Sequence, residues 1–230
     1  MGVAVIIPAA GEGKRLGGHR KQFRALGGLS VLEQTVMAFE RHPEIDHIIV
    51  ATPTDAVDPL EQQLRRIGTT KLWCVVEGGC SRQESVFRAL VSIPGHIQVV
   101  LVHDAVRPFV SADAITELVR RVRSDGAAAL AVPVSDTLRR ASENTFGDTV
   151  ERDGLFRMQT PQGFRRDWFR EAHEAARNEG LEWTDDVALV QWAGHEVHCV
   201  PGSADNVKIT TPSDWERAQR MWPVWTQEHV

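Results

Sequence analysis

"VAVIIPAAGEGKRLGGHRKQF", residues 3–23, is an apolar run that ends at Pro8 and opens into a glycine-rich loop carrying Lys14, Arg15, Arg20 and Lys21 against Glu12 alone. The apolar run, rich in β-branched side chains, predicts a buried strand, and the glycines after it predict a turn at its carboxyl end. Crowded like charges repel one another unless an anion sits among them. The stretch therefore predicts both the first strand of a sheet and one wall of an anion site. It lacks the Lys-Ser or Lys-Thr of a Walker loop, and Gly11, Gly13 and Gly17 miss the dinucleotide spacing by one residue. A different phosphate cradle is implied, built on cationic side chains; the alternative is a solvated surface turn.

Outward from this loop, β-branched runs recur at 47–51, 72–76, 97–102 and 127–132, each separated from the last by room for a helix. Strand then helix, repeated, predicts an α/β fold: a single Rossmann-like, mostly parallel sheet flanked by helices. Ser30 with Glu33 and Ser81 with Glu84 have capping-box spacing. After Ser81, Val86, Ala89, Leu90 and Ile93 share one helical face. The rhythm breaks after Pro133. Residues 134–157 alternate polar and apolar around the turn formers of "SENTFGD", which predicts a β-hairpin arm projecting from the sheet. Helical spacing returns at Asp167, followed by the strand-like "HEVHCV" and a closing helix from Pro212. No repeat, linker or low-complexity tract interrupts the chain, so residues 1–230 are expected to form one domain.

The 230 residues are 42% hydrophobic and 25% charged, enough for a substantial core. A net charge of −5 supplies no general basic field for nucleic acid or an anionic membrane, so an anion must be held by a local cluster. Cys74, Cys80 and Cys199 are odd in number and lack C-x-x-C spacing, which argues against a disulfide framework or zinc knuckle and for a reducing cytoplasm. No stretch approaches the roughly 18 apolar residues of a spanning helix, and no basic leader precedes Val3, so a soluble, unprocessed chain is expected.

Ligands of open α/β sheets bind beyond the carboxyl ends of the strands. There, "EGGCSRQES" offers Gly78 and Gly79 for close approach to a flat ligand, with the Ser85 hydroxyl one helical turn after Ser81. "VHDAVRPF" offers Asp104, placed for magnesium directly or through water, and Arg107, suited to a phosphate. The competing reading is an Asp104–Arg107 ion pair. "QTPQGF", 159–164, and "TDD", 184–186, bring hydroxyls in turns, equally explicable as caps. "ADNVKITTP" puts Lys208 within an otherwise apolar strand, either as an edge or snorkelling residue or as a positive charge returned to the loop end of the sheet.

Taken in order, "PAAGEGKRL", "RKQF", "EGGCSRQESV", "LVHDAVRPF", "SDT", "TPQGF", "TDD" and "ADNVKIT" resemble the 2-C-methyl-D-erythritol 4-phosphate cytidylyltransferases over nearly the whole chain. The resemblance implies a nucleotide-diphospho-sugar transferase type of fold. It also implies transfer of CMP from CTP to the polyol phosphate, with magnesium and release of pyrophosphate, in non-mevalonate isoprenoid synthesis. By the same resemblance, Arg15 and Lys21 stabilise the transition state, and Ala9, Ala10, Gly11, Gly13, Gly79 and Ser85 frame the nucleotide. Asp104 and Arg107 match positions at the polyol phosphate, with Asp104 close to the metal. Thr160, Thr184 and Lys208 match further substrate contacts, Lys208 holding the attacking phosphate. The arm at about 134–157 is implied to cross a homodimer interface, so that Thr137 and Arg152 serve the partner's site.

Three departures accompany the likeness. The first loop is one residue shorter than in many relatives, with Arg20 where proline often stands. Cys80 replaces a position that is often acidic. Analogy with related nucleotidyltransferases offers Asp205 as a second metal ligand, but its setting in "ADN" favours a turn former. Another polyol phosphate, such as ribitol 5-phosphate, is the nearest alternative acceptor. A silent CTP-binding sensor is the alternative of another class.

Overall fold

A computed structural model describes residues 2–11 and 21–229, the side chains of Lys21 and His229 excepted. Strand β1 (Gly2–Pro8) is the first expected strand. A single turn of 3-10 helix, Lys21–Phe23, leads to a short hairpin of β2 (Ala25–Leu26) and β3 (Leu29–Ser30), which the sequence reading did not anticipate. Its turn is Gly27–Gly28, both at positive φ, the chemistry a two-residue hairpin requires. Then follow α1 (Val31–Glu40), β4 (His47–Thr52), α2 (Val57–Arg66), β5 (Leu72–Glu77), α3 (Arg82–Val91), β6 (Ile97–Val102), α4 (Ala112–Asp125) and β7 (Ala127–Pro133).

Periodicity explains the layers. Along β1, Val3, Val5 and Ile7 face one core with α1, α2 and α4, while Ala4 and Ile6 face the other with α3. Val99 and Leu101 of β6 repeat the split against Val100 and Val102. Alternation within a continuously apolar strand is what a sheet covered on both faces demands.

After β7 the chain departs into the arm, where β8 (Leu138–Ser142) and β9 (Thr145–Val150) pair antiparallel as a separate two-stranded sheet. Phe146 at 78% exposure shows how little of this arm is covered within the chain. The chain returns through β10 (Phe156–Arg165), α5 (Arg166–Glu179), α6 (Asp186–Trp192), β11 (His198–Pro201) and α7 (Pro212–His229).

The large sheet has the order β11-β7-β10-β6-β1-β4-β5, with β10 antiparallel to both neighbours and the other pairings parallel. Two expectations are corrected here. Residues 159–164, read as a turn, lie within β10, because Gln159, Thr160 and Gln162 are buried and hydrogen-bonded instead of apolar. Lys208, read as part of a strand, lies in irregular chain tied to the loop after β6 by a backbone bond from Ile209 N to Val106 O at 3.0 Å. A third, smaller core explains that segment: Val207 and Ile209 pack with Val106, Phe109 and Leu26 against α7. No helix among the described residues is long and apolar enough to cross a membrane.

Candidate active site

Three parallel strands, β1, β5 and β6, deliver their following loops to one rim of the sheet. After β1, Ala9 N extends the ladder to Ala51 O at 2.6 Å before the chain turns away at Gly11. Gln22 meets it on return. This side chain is 3% exposed, and its Nε2 donates to Ala9 O at 2.8 Å and to Gly11 O at 3.2 Å. One amide therefore ties the outgoing and incoming ends of the cationic loop together, immediately beside Lys21. Gly13 and Arg15 lie outside the described residues, as does the Lys21 side chain.

The second loop is built from α3 backward. Ser81 caps the helix by accepting from Glu84 N at 3.1 Å. The expected reciprocal bond is displaced by one residue, because Glu84 Oε2 accepts from Cys80 N at 2.8 Å. Ser85 Oγ donates to Ser81 O at 2.8 Å and accepts from Gly79 N at 3.0 Å. A hydroxyl has one donor and two acceptor positions, so Ser85 anchors the glycine turn and keeps one lone pair for an amino group. Gly78 is needed for closeness: a Cβ there would stand 2.4 Å from the Ala10 Cβ. Without that glycine the first and second loops would be pushed apart.

Asp104, just beyond β6, is the electrostatic centre. Its Oδ2 lies 3.0 Å from Lys208 Nζ and 3.1 Å from Arg107 Nε, while Oδ1 faces Arg82 Nε at 3.8 Å. Burial opposes ionisation, but Lys208, Arg82 and Arg107 outweigh it and hold the carboxyl well below the usual carboxylate range. The ion pair weighed from sequence is thus present, as part of a larger cluster.

Behind Asp104 runs a buried relay of fixed direction. Asp104 N donates to Thr160 Oγ1 at 3.0 Å, and that hydroxyl lies 3.2 Å from His103 Nδ1. His103 Nε2 is 2.9 Å from Arg107 O, a carbonyl that only accepts. The proton is therefore assigned to Nε2, and Nδ1 accepts from Thr160. Burial pushes the His103 imidazole down to about 4, so the ring is neutral. Arg107 completes the brace, with Nη1 donating to Asn206 O at 2.7 Å, while Asn206 Nδ2 donates to Thr160 O at 2.8 Å.

These contacts locate the residues expected from sequence. Ala9, Ala10, Gly11, Gly79, Ser85, Asp104 and Lys208 share the wall of one cavity of about 250 Å³. Arg107 and Thr160 stand behind it instead, with the Thr160 hydroxyl turned entirely inward. Thr184 is exposed before α6, and Thr137 and Arg152 are exposed on the arm; none is among the described residues lining this cavity. Arg152 Nη1 bonds Ser135 O. Asp205 lies 3.8 Å from Arg217 and is also absent from this wall.

Sequence reasoning missed Gln22 and Arg82, which line the cavity, and Asp186, which holds Arg82. Arg82 Nη2 is 2.7 Å from the buried Asp186 Oδ2, so the "TDD" segment contributes its last carboxylate to the site. The available signal was the position of Arg82 as the first residue of a capped helix, at a loop already under suspicion. A cavity with a glycine-lined floor, a serine acceptor and Lys208 at its edge can hold a base at one end and phosphates at the other.

Comparison with known proteins places these features in a lineage. Residues 3–222 match the family model described as 2-C-methyl-D-erythritol 4-phosphate cytidylyltransferase. A protein of that name from Salinibacter ruber is 55% identical over 223 residues, covering 97% of this chain and 94% of its own. Another from Geobacter metallireducens is 41% identical, covering 95% and 97%. The crystal structure of the Thermus thermophilus protein of that name superposes with a TM-score of 0.83 at 38% identity, covering 97% of this chain and all of that one.

Proposed function

This chain belongs to the 2-C-methyl-D-erythritol 4-phosphate cytidylyltransferase family, and from that premise we propose how its own residues carry out the family's reaction. The enzyme transfers CMP from CTP to 2-C-methyl-D-erythritol 4-phosphate, giving 4-diphosphocytidyl-2-C-methyl-D-erythritol and pyrophosphate in isoprenoid synthesis. The observation that best supports the site assignment is the convergence of Ala9–Gly11, Gly79, Ser85, Asp104 and Lys208 on one cavity.

CTP lies with its base toward Ser85 and the Gly79 turn, and its triphosphate toward the loop that Gln22 closes. An oxygen of the acceptor phosphate attacks the α-phosphorus in line, the bond to the bridging oxygen breaks, and pyrophosphate leaves. The barrier is chiefly repulsion, since two like unit charges about 4 Å apart cost on the order of 4 kcal/mol at an effective dielectric near 20. Arg15 and Lys21 offset charge on the triphosphate, and Lys208 holds the attacking phosphate. Asp104 keeps Lys208 aimed while Arg107 and Thr160 brace Asp104. A phosphate nucleophile is already ionised near neutral pH, so no general base is needed. The buried, neutral His103 agrees with that.

The donor set fits a magnesium ion. Asp104 Oδ1 accepts no hydrogen bond from the described residues, and no cluster of three or more acidic, histidine or cysteine ligands exists among them. Magnesium commonly takes one carboxylate and completes its shell with water and substrate phosphates. Asp104 would hold it, and when bound it supplies further neutralisation of the triphosphate. Thr137 and Arg152 act across a homodimer, consistent with their exposure on the arm, and the three free cysteines fit a cytoplasmic setting.

The test is pyrophosphate release with CTP against other nucleotides, and methylerythritol phosphate against ribitol phosphate. Turnover requiring CTP and methylerythritol phosphate together is expected. Release from CTP alone, or equal use of ribitol phosphate, would overturn the reading.

A further inference from the structure

Lys208 lines a second cavity, of about 360 Å³, beside the first. Its wall is cationic. Arg107, Arg157 and Arg217 stand around it with Asp214 as the one carboxylate among the described lining residues. Asp214 is occupied elsewhere: its Oδ2 accepts from Thr210 N at 2.8 Å, Thr210 Oγ1 at 2.7 Å and Thr211 N at 2.8 Å, at the start of α7. It forms no ion pair with the cations facing it among the described residues; Arg107 and Lys208 pair with Asp104 instead.

Two of those cations have bonding capacity to spare. Arg157, opposite Val132 in the sheet, is exposed, and its side chain makes no hydrogen bond or ion pair with any described residue. Arg217 is 48% exposed; Nη2 donates to Ala204 O at 3.0 Å and approaches Asp205 no closer than 3.8 Å. A guanidinium presents five donors in a planar fork, so each retains donors for a phosphate. They arrive on separate elements, β10 and α7, and face one cavity whose boundary with the nucleotide cavity is Lys208.

Resting on the functional reading above, we infer that Arg157 and Arg217 bind the phosphate of the polyol acceptor in this second cavity, with Lys208 at the junction where acceptor and nucleotide meet. An in-line displacement needs its nucleophile delivered from outside the nucleotide cavity. A cationic chamber that shares one lysine with that cavity supplies such a route. Neither arginine belongs to the set implied by the family resemblance; the pair adds to that set and raises affinity for the acceptor.

The experiment is steady-state pyrophosphate release by the full chain, with each substrate varied at saturation of the other, for wild type, R157A, R217A, the double alanine variant and R157K/R217K. Each single alanine change is expected to raise KM for methylerythritol phosphate about tenfold and leave KM for CTP within about twofold. The double lysine variant should recover part of the loss, which a packing role would not allow, and added sulfate should compete with the acceptor less effectively in the double alanine variant. Unchanged acceptor KM in the double alanine variant, or an equal rise in KM for CTP, overturns the inference. Lack of acceptor-dependent release by wild type would instead overturn the functional reading, so the two failures are distinguishable.

Discussion

Replacing Asp104 by asparagine keeps the shape of the side chain and removes its charge. Arg107, 10% exposed, then loses the carboxylate 3.1 Å away and Lys208 the one 3.0 Å away, while Arg82 keeps only Asp186 at 2.7 Å. Breaking a buried pair by removing one partner costs about 3–5 kcal/mol. The Lys208 share is discounted, because that side chain is 43% exposed and solvent screens it. A loss of about 3 kcal/mol is the working value, equivalent to a fall of roughly 6–12 °C in the melting midpoint for a chain of this size. Turnover should fall about 100-fold, since Lys208 loses the group that aims it.

The pH dependence has a definite sign. The Asp104 carboxyl is held below its unfolded value, so its contribution is full above about pH 4 and is lost as the pH falls through the folded value. The gap between Asp104→Asn and wild type should accordingly be constant from pH 7 to pH 5. Urea unfolding at several pH values and calorimetric melting measure it. A variant melting within about 2 °C of wild type would refute the claim that this carboxylate organises the three cations.

Gln22→Leu should preserve bulk while removing the clasp on Ala9 and Gly11; kcat/KM for CTP is expected to drop about tenfold with little change in the acceptor KM. His173 is fully buried beside Phe169, has no hydrogen-bond partner among the described residues, and is pushed down to about 4 by burial. An imidazole lowered in the folded state contributes stability above about pH 6.5 that is lost as the pH falls toward 4, about 2 kcal/mol of it by pH 5. His173→Phe should flatten that slope in urea titrations, and an unchanged slope would contradict it. Lys21→Ala should lower turnover far more than stability, and mixing it with Arg152→Ala should restore some activity in hybrid dimers; no recovery would argue for a site within one chain. Chelation by EDTA should abolish turnover, with recovery on adding magnesium.

The parallel strands β1, β4, β5, β6 and β7 were legible because each has a mainly apolar run bounded by turn formers, the mark of a sheet covered on both faces. β10 was not, since its centre is Gln159, Thr160 and Gln162, and the first two are held by partners more than 40 residues distant, Ser203 and Asn206. Lys208 alternates with Val207 and Ile209 as a strand residue would, but the apolar pair serves the α7 core and not a ladder. Loop residues with cationic or glycine chemistry could be nominated singly. What could not be read was which groups turn inward: Thr160 and Arg107 are the same residue types whether they meet a ligand or brace Asp104. Arg82 and Asp186 were hidden for the same reason, as their pairing joins positions about a hundred residues apart.

Helix α7 underlies three of the segments that build this site. Leu26 beyond the first loop, Val106 and Phe109 after Asp104, and Val207 and Ile209 around Lys208 share its small core. Arg24 stacks on Trp215 at 4.5 Å, and Gly27 lies so close to Trp222 that a Cβ would fall 1.7 Å from the indole nitrogen. During synthesis the sheet and most of its covering helices leave the ribosome before this last segment does. A growing polypeptide can thus form much of its sheet first, while the segments around Leu26, Val106 and Ile209 gain their apolar support only once α7 docks.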